Sequence, residues 1–260
     1  MVKVSIHSNR TSERDFWNTV AGIDSNLHQG LPTPESLSIP FSLSSDRRFL
    51  EAIGRVSSLS ILEVGSGFGD LSLLLSQMGG DVIGLDISDE MISCSRARSK
   101  KVGLEATFVL GDAQRLPFED ESLDLVVGMR AIHHFAEMRH FFSDVHRVLK
   151  PGGRAIFIEP QKNNPIVEFN RKVLHPECRT ENEHPLVRKD IEDARAVFSD
   201  VHTETFYLVS PVAFLFSSLT RWDSGFRMTS MVLQRLECRI AEKRLFQDYC
   251  WQLLLVLTKG

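Results

Sequence analysis

"ILEVGSGFGD", residues 61 to 70, places Gly65, Gly67 and Gly69 within five positions directly after an apolar run, with an acid, Glu63, inside that run. Glycine inside a regular element is costly, so this spacing marks a sharp turn whose backbone comes close to something. Outward from it, residues 59–159 alternate β-like runs with helical patterns: "LSILEV" (59–64), "DVIGLD" (81–86), "ATFVLG" (106–111), "LDLVVGM" (123–129) and "GRAIFIE" (153–159). These runs are nearly continuous in apolar residues, as strands buried on both faces are, and the alternation favours a parallel sheet covered by helices on both sides. Ser88 is placed to cap a helix that contains Glu90 and Met91. Phe141, Phe142, Val145, Val148 and Leu149 recur at helical spacing until Pro151, Gly152 and Gly153 stop that helix.

Beyond Glu159 the pattern loosens. "PQKNNP" and "LHPECRTENEHPL" read as a loop insertion leading to a helix near Leu186, followed by a strand "DVHTETFYLV", a mixed helical stretch from about 211 to 247 and a last strand "WQLLLVLTK". The fold class is therefore α/β, a doubly wound, mostly parallel seven-stranded sheet with helical lid insertions. Residues 1–50 supply lid helices, 51–160 the ligand-binding core, and 161–260 the insertion, cap helices and last strands of the same domain.

Bulk properties narrow the function. A net charge of -4 gives no general attraction to phosphate backbones, and nucleic acid is not expected as a partner. Arg96, Arg98, Lys100 and Lys101 lie together but fall at a helix end, where cations suit the dipole. Cys94, Cys178, Cys238 and Cys250 form no CxxC pair, which argues against disulfides and zinc and points to a cytoplasmic setting. The polar N-terminus does not resemble a signal peptide, and no apolar run approaches the roughly 18 residues of a membrane span.

A glycine turn between the first strand and helix of an α/β unit brings bare backbone N–H groups to a ligand. The spacing here is G-x-G-x-G, not the G-x-G-x-x-G of dinucleotide sites, so its companions matter. Asp86 ends the second strand, where an acid can accept from a ribose diol, and Asp112 follows the third in "GDAQRLPF". Together with Glu63, three acids end or follow three successive strands at the carboxyl edge of the sheet.

Taken in order, "LEVGSGFGDLS", "GLDIS", "GDAQRLPFEDESLDLVV" and "VLKPGGRAIFIE" resemble the motif series of class I S-adenosylmethionine-dependent methyltransferases, over roughly residues 55 to 160. The wider look is similar to the branch that methylates quinones, natural products and other small molecules. The resemblance implies S-adenosylmethionine as cofactor and S-adenosylhomocysteine as its product. It also implies roles for residues. Gly65, Ser66 and Gly67, with Gly69, pass beneath the methionyl part, and Glu63 orients that loop and the amino end. Asp86 binds the ribose hydroxyls, and Ile87 packs on the adenine. Asp112 takes the adenine amino group, and Ala113 donates its N–H. The backbone near Met129 and Arg130 closes the site.

Methyl transfer from a sulfonium is an in-line displacement in which the protein mainly positions, desolvates and, for a hydroxyl or carbon acid, deprotonates the acceptor. His134 and then His133, in "AIHHF", are the candidate bases, with a structural hydrogen-bonding role as the alternative. His133, His134, His140 and Glu137 have no chelating spacing, so no metal is expected. Specificity is expected from Phe16 and Trp17 in the lid, from Asn163, Asn164, Phe169, Arg171, His175, Arg179 and His184 in the insertion, and from Phe214, Phe216, Trp222 and Phe226 beyond it. The apolar "VSPVAFLFSSL" reads equally as a wall of a hydrophobic acceptor pocket and as packing against the sheet or a homodimer partner, with peripheral membrane contact a third reading. O-, N- and C-methylation of a small, partly hydrophobic acceptor all remain open. So do two other functions, a tRNA or RNA methyltransferase and a non-catalytic cofactor-binding subunit.

Overall fold

Seven strands form one sheet: β1 (Ser60–Val64), β2 (Asp81–Asp86), β3 (Ala106–Leu110), β4 (Leu123–Met129), β5 (Leu149–Pro160), β6 (Asp200–Phe206) and β7 (Gln252–Thr258). Their order is β3-β2-β1-β4-β5-β7-β6. The first five are mutually parallel, and β7 runs antiparallel to β5 and β6, so the mostly parallel seven-stranded reading holds. The structure, a computed structural model, describes residues 13–24, 31–33, 43–174, 183–213, 232–237, 240 and 243–260.

The continuous apolar runs are strands buried from both sides. Ile61, Leu62, Val126, Val127, Ile156 and Phe157 are fully buried, and they divide between two packing layers. On one face α5 (Met138–Val148) and α7 (Arg188–Arg195) press Phe141, Phe142, Val145, Ile191 and Ala194 against the sheet. On the other, α2 (Leu43–Ile53) and α3 (Asp70–Gln77) contribute Phe49, Ile53, Leu71, Leu74 and Leu75. The helix α4 (Asp89–Val102) starts as expected, with the Ser88 hydroxyl accepting from Met91 N at 3.1 Å. A further helix, α1 (Glu13–Asp24), lies against α4. Among the described residues no helix is long and apolar enough to cross a membrane.

Four expectations need correction. First, β5 begins at Leu149, directly after α5, and not after the Pro-Gly-Gly stretch. Gly152 takes φ +75 and the β4 pairing jumps from Leu123↔Leu149 to Leu125↔Arg154, so residues 150–153 are an irregularity within the strand. Second, the 161–187 insertion is not all loop. It carries a short helix, α6 (Pro165–Phe169), that continues into a π turn (Asn170–Leu174). Third, Asn164 is not a substrate contact. Asn164 is fully buried; its side-chain oxygen accepts from Ile166 N and Val167 N, and its amide donates to the carbonyls of Tyr207, Leu208 and Tyr249. Fourth, Arg98 is more than a dipole cation, because it is 7% exposed and reaches back to Asp70 at 2.6 Å. Of the other specificity residues, the Arg171 side chain, His175, Arg179, Phe214, Phe216, Trp222 and Phe226 lie outside the described residues, as do Cys178 and Cys238.

Candidate active site

The strands β1 and β4 are neighbours although the chain winds away from them in opposite directions, and ligands of such sheets sit outside the carboxyl ends at this switch point. A cleft of about 290 Å³ opens there. Of the expected residues, Gly65, Gly67, Asp86, Ile87, Asp112, Ala113, Met129, Arg130 and His134 line it. The helix α1 adds Glu13, Trp17 and Val20 from above.

The glycine turn has two distinct demands. Gly65 adopts φ +66, and a Cβ there would sit 2.5 Å from the Ala131 Cβ, so the turn is pressed against the chain leaving β4. Gly67 adopts φ +50 and faces open space, with nothing within 4 Å of the point a Cβ would occupy, which leaves bare backbone facing the cleft. The turn is tied to β2 by Asp86, whose Oδ2 accepts from Gly67 N at 2.8 Å while Oδ1 accepts from Ser88 N at 2.9 Å. Burial raises the Asp86 carboxyl above its ordinary value, and these backbone N–H donors oppose the rise. Arg98 secures the outer limb, donating to Asp70 and, at 3.3 Å, to the Phe68 carbonyl.

Glu63, Ser66 and Gly69 belong to the turn but do not line the cleft. Ser66 is buried and donates its N–H to Leu85 O at 3.0 Å. Gly69 precedes α3 at φ +78, where a Cβ would lie 2.7 Å from the Phe108 ring, so its need is packing. Glu63 lies beneath the turn, hydrogen-bonded to the Ser72 hydroxyl, and burial pushes its carboxyl up to about 8. The folded state therefore holds this proton more tightly than the unfolded chain does. The resulting stability is complete below the ordinary glutamate range and is lost as pH rises toward 8. Glu63→Gln, which carries no such charge, is expected to melt within about 1 °C of the parent at pH 4 and several degrees higher at pH 8. Thermal unfolding at the two pH values checks this, and an unchanged difference would mean Glu63 is ionised in the folded protein.

The opposite wall is built on the turn after β4. Arg130 sits at φ +55, and its guanidinium meets the buried Asp46 of α2 at 3.0 Å. Glu159, fully buried at the end of β5, accepts from Ala131 N at 2.9 Å and Ile132 N at 3.1 Å, and its other oxygen lies 2.7 Å from His133 Nδ1. His133 is thereby turned away from the cleft into the interior, and its carbonyl accepts from His184 N at 2.6 Å. His133 therefore stands behind the cleft in a structural hydrogen-bonding place, and the His184 imidazole, 3.6 Å from Asp190 Oδ2, is not among the described residues that line it. His134 lies in the cleft, its ring meeting Trp17 edge to face with centroids 5.4 Å apart. Sequence reasoning misses Asp46, Glu159 and Glu13. The one signal for Glu159 is an acid within an apolar strand, the same signal that marks Glu63.

A seven-stranded sheet with this order, a glycine turn after β1 and acids after β2 and β3 defines the class I methyltransferase fold. Residues 62–157 match the family model described as methyltransferase domain. The chain is similar to a demethylmenaquinone methyltransferase of Thermus thermophilus, 33% identical over 125 residues, which cover 47% of this chain and 57% of that protein. It is also similar to phthiotriol/phenolphthiotriol dimycocerosates methyltransferase 1 of Mycobacterium ulcerans, 31% identical over 150 residues, covering 57% and 54%. The match spans little more than half the length of these curated relatives. Among solved structures, Haemonchus contortus phosphoethanolamine N-methyltransferase 2, with phosphomonomethylethanolamine and S-adenosylhomocysteine, shares the fold at a TM-score of 0.62 and 18% identity, over 96% of this chain and 61% of that one.

Proposed function

We propose that the protein is an S-adenosylmethionine-dependent methyltransferase acting on a small, partly hydrophobic acceptor. The observation that carries this reading is the donor set of the cleft. Bare backbone at Gly67 and carboxylates at Asp86 and Asp112 surround it, and Arg130 is the one arginine or lysine among the described lining residues. Such a set suits a ligand with a diol, an amine and a single carboxylate, and offers no clamp for a pyrophosphate.

The residues present fit that cofactor. Asp86 uses one lone pair of each oxygen on the backbone, and a carboxylate retains others for ribose hydroxyls. Ile87, Asp112, Ala113 and Arg130 line the cleft, with Arg130 held by Asp46; Ile87 and Ala113 would hold the adenine, Asp112 would accept from its amino group, and Arg130 would pair with the methionyl carboxylate. When bound, the cofactor supplies a methyl group on a good leaving group. The protein's own tasks are to orient the acceptor, to exclude water with Trp17 and Val20 of α1, and to take up a proton where the acceptor must lose one. His134 is the residue we assign to that last task.

Calorimetric titration with S-adenosylmethionine and S-adenosylhomocysteine tests the reading, with micromolar binding of both expected. Binding of neither would leave the glycine turn without this ligand and overturn the proposal. Methyl transfer to quinones, phenols and amines, followed with labelled cofactor, then identifies the acceptor atom.

A further inference from the structure

Resting on the reading of His134 as the proton acceptor, we propose that Glu13, carried on α1, is the positioning residue that fixes the tautomer of that imidazole. The proton-accepting group is then complete only when α1 is docked over the cleft.

Three sets of contacts support this. Glu13 Oε2 lies 3.7 Å from His134 Nδ1, within ion-pair range and longer than a hydrogen bond, as such contacts often are in a site without ligand. The same oxygen accepts from Trp17 Nε1 at 3.1 Å, and the Trp17 ring packs edge to face on His134 at an interplanar angle of 88°, so carboxylate and imidazole are held by one shared partner. At its other side α1 is anchored to the loop after β2: Arg14 Nε donates to Ile87 O at 3.0 Å, Asn18 Nδ2 to Asp89 Oδ1 at 3.0 Å, and Ser88 Oγ to Asn18 Oδ1 at 2.6 Å. The helix therefore bridges the two strand ends that bound the cleft, β2 and β4.

The chemistry follows from the distinct roles of the two ring nitrogens. A carboxylate facing Nδ1 favours the tautomer with the proton on Nδ1, which puts the lone pair on Nε2. When an acceptor X–H gives up its proton, that bond breaks, X keeps the electron pair and an Nε2–H bond forms. The imidazole becomes an imidazolium, and the Glu13 carboxylate offsets the new charge. His133, whose ring centroid is 4.1 Å from that of His134, already pairs with Glu159 and is not the group that Glu13 faces.

The test uses full-length protein with nitrogen-15-labelled histidine, with the His134 signals assigned through His134→Gln. In the parent the Nδ1–H tautomer is expected to dominate, with and without S-adenosylhomocysteine as probe. Glu13→Ala is expected to shift the tautomer ratio toward Nε2–H by about threefold or more, whereas Glu13→Gln, whose amide oxygen still accepts, retains the parent ratio. Asn18→Ala, which loosens α1 without touching Glu13, is expected to move the ratio in the same direction as Glu13→Ala. An unchanged ratio in Glu13→Ala would overturn the proposal. The tautomer is read without turnover, so this result is separate from a failure of the parent to bind S-adenosylhomocysteine, which would instead overturn the methyltransferase reading.

Discussion

Asp86→Ala is expected to weaken S-adenosylhomocysteine binding by at least ~100-fold in calorimetric titration. Two losses combine. The carboxylate that would hold the ribose diol disappears, and Gly67 N and Ser88 N lose the acceptors that now stand at 2.8 and 2.9 Å. Each N–H left without a partner costs about 1–3 kcal/mol, and the turn that presents backbone to the cleft loses its tie to β2. Asp86→Asn keeps one acceptor oxygen and is expected to fall between the two. If Asp86→Ala bound as tightly as the parent, the placement of the cofactor over β2 would be wrong.

The second large effect falls on stability. Glu159→Ala is expected to cost about 3–5 kcal/mol, a fall in Tm of roughly 6 to 20 °C. Glu159 is fully buried and is shared among Ala131 N, Ile132 N and His133 Nδ1, so its removal leaves two backbone donors and an imidazole without their acceptor in the interior. The damage reaches the site as well, because the same turn carries His134 into the cleft and presses Ala131 against Gly65. Glu159→Gln retains an acceptor oxygen and should lose much less. Denaturant unfolding measures both variants, and a loss below about 1 kcal/mol for the alanine variant would show that this carboxylate does not hold the turn.

Much of the fold is legible in the sequence. Strands such as "LSILEV" and "GRAIFIE" declare themselves because two-sided burial demands uninterrupted apolar residues. The Ser88 cap and the place of Asp86 at a strand end are also readable, since both depend on residues close in sequence. The departures have a common origin in contacts between distant segments. Residues 150–153 look like a stop signal, yet they lie within β5, where Gly152 N donates to Lys259 O across the sheet at 2.9 Å. Asn164 looks like a polar loop residue. It is buried because three carbonyls from 207–208 and 249 converge on its amide.

The site divides in the same way. Nine of the expected residues line the cleft, while Glu63, Ser66, Gly69 and His133 stand behind it. Sequence spacing identifies which segment forms the turn but not which of its atoms face inward, and a shift of one residue exchanges a ligand contact for a core contact. His133 and His134 are adjacent in the chain, yet Glu159, 26 residues on, and Glu183 hold the first inward while the second lines the cleft. By itself the sequence determined the doubly wound sheet, the glycine turn and the acids at the strand ends, because local periodicity and turn chemistry encode them. The tertiary structure alone decided which histidine lines the cleft, that Asp46 holds Arg130, and that α1 brings Glu13 across the mouth of the cleft. Those choices depend on burial and hydrogen bonding between segments far apart in the chain, which no local pattern records.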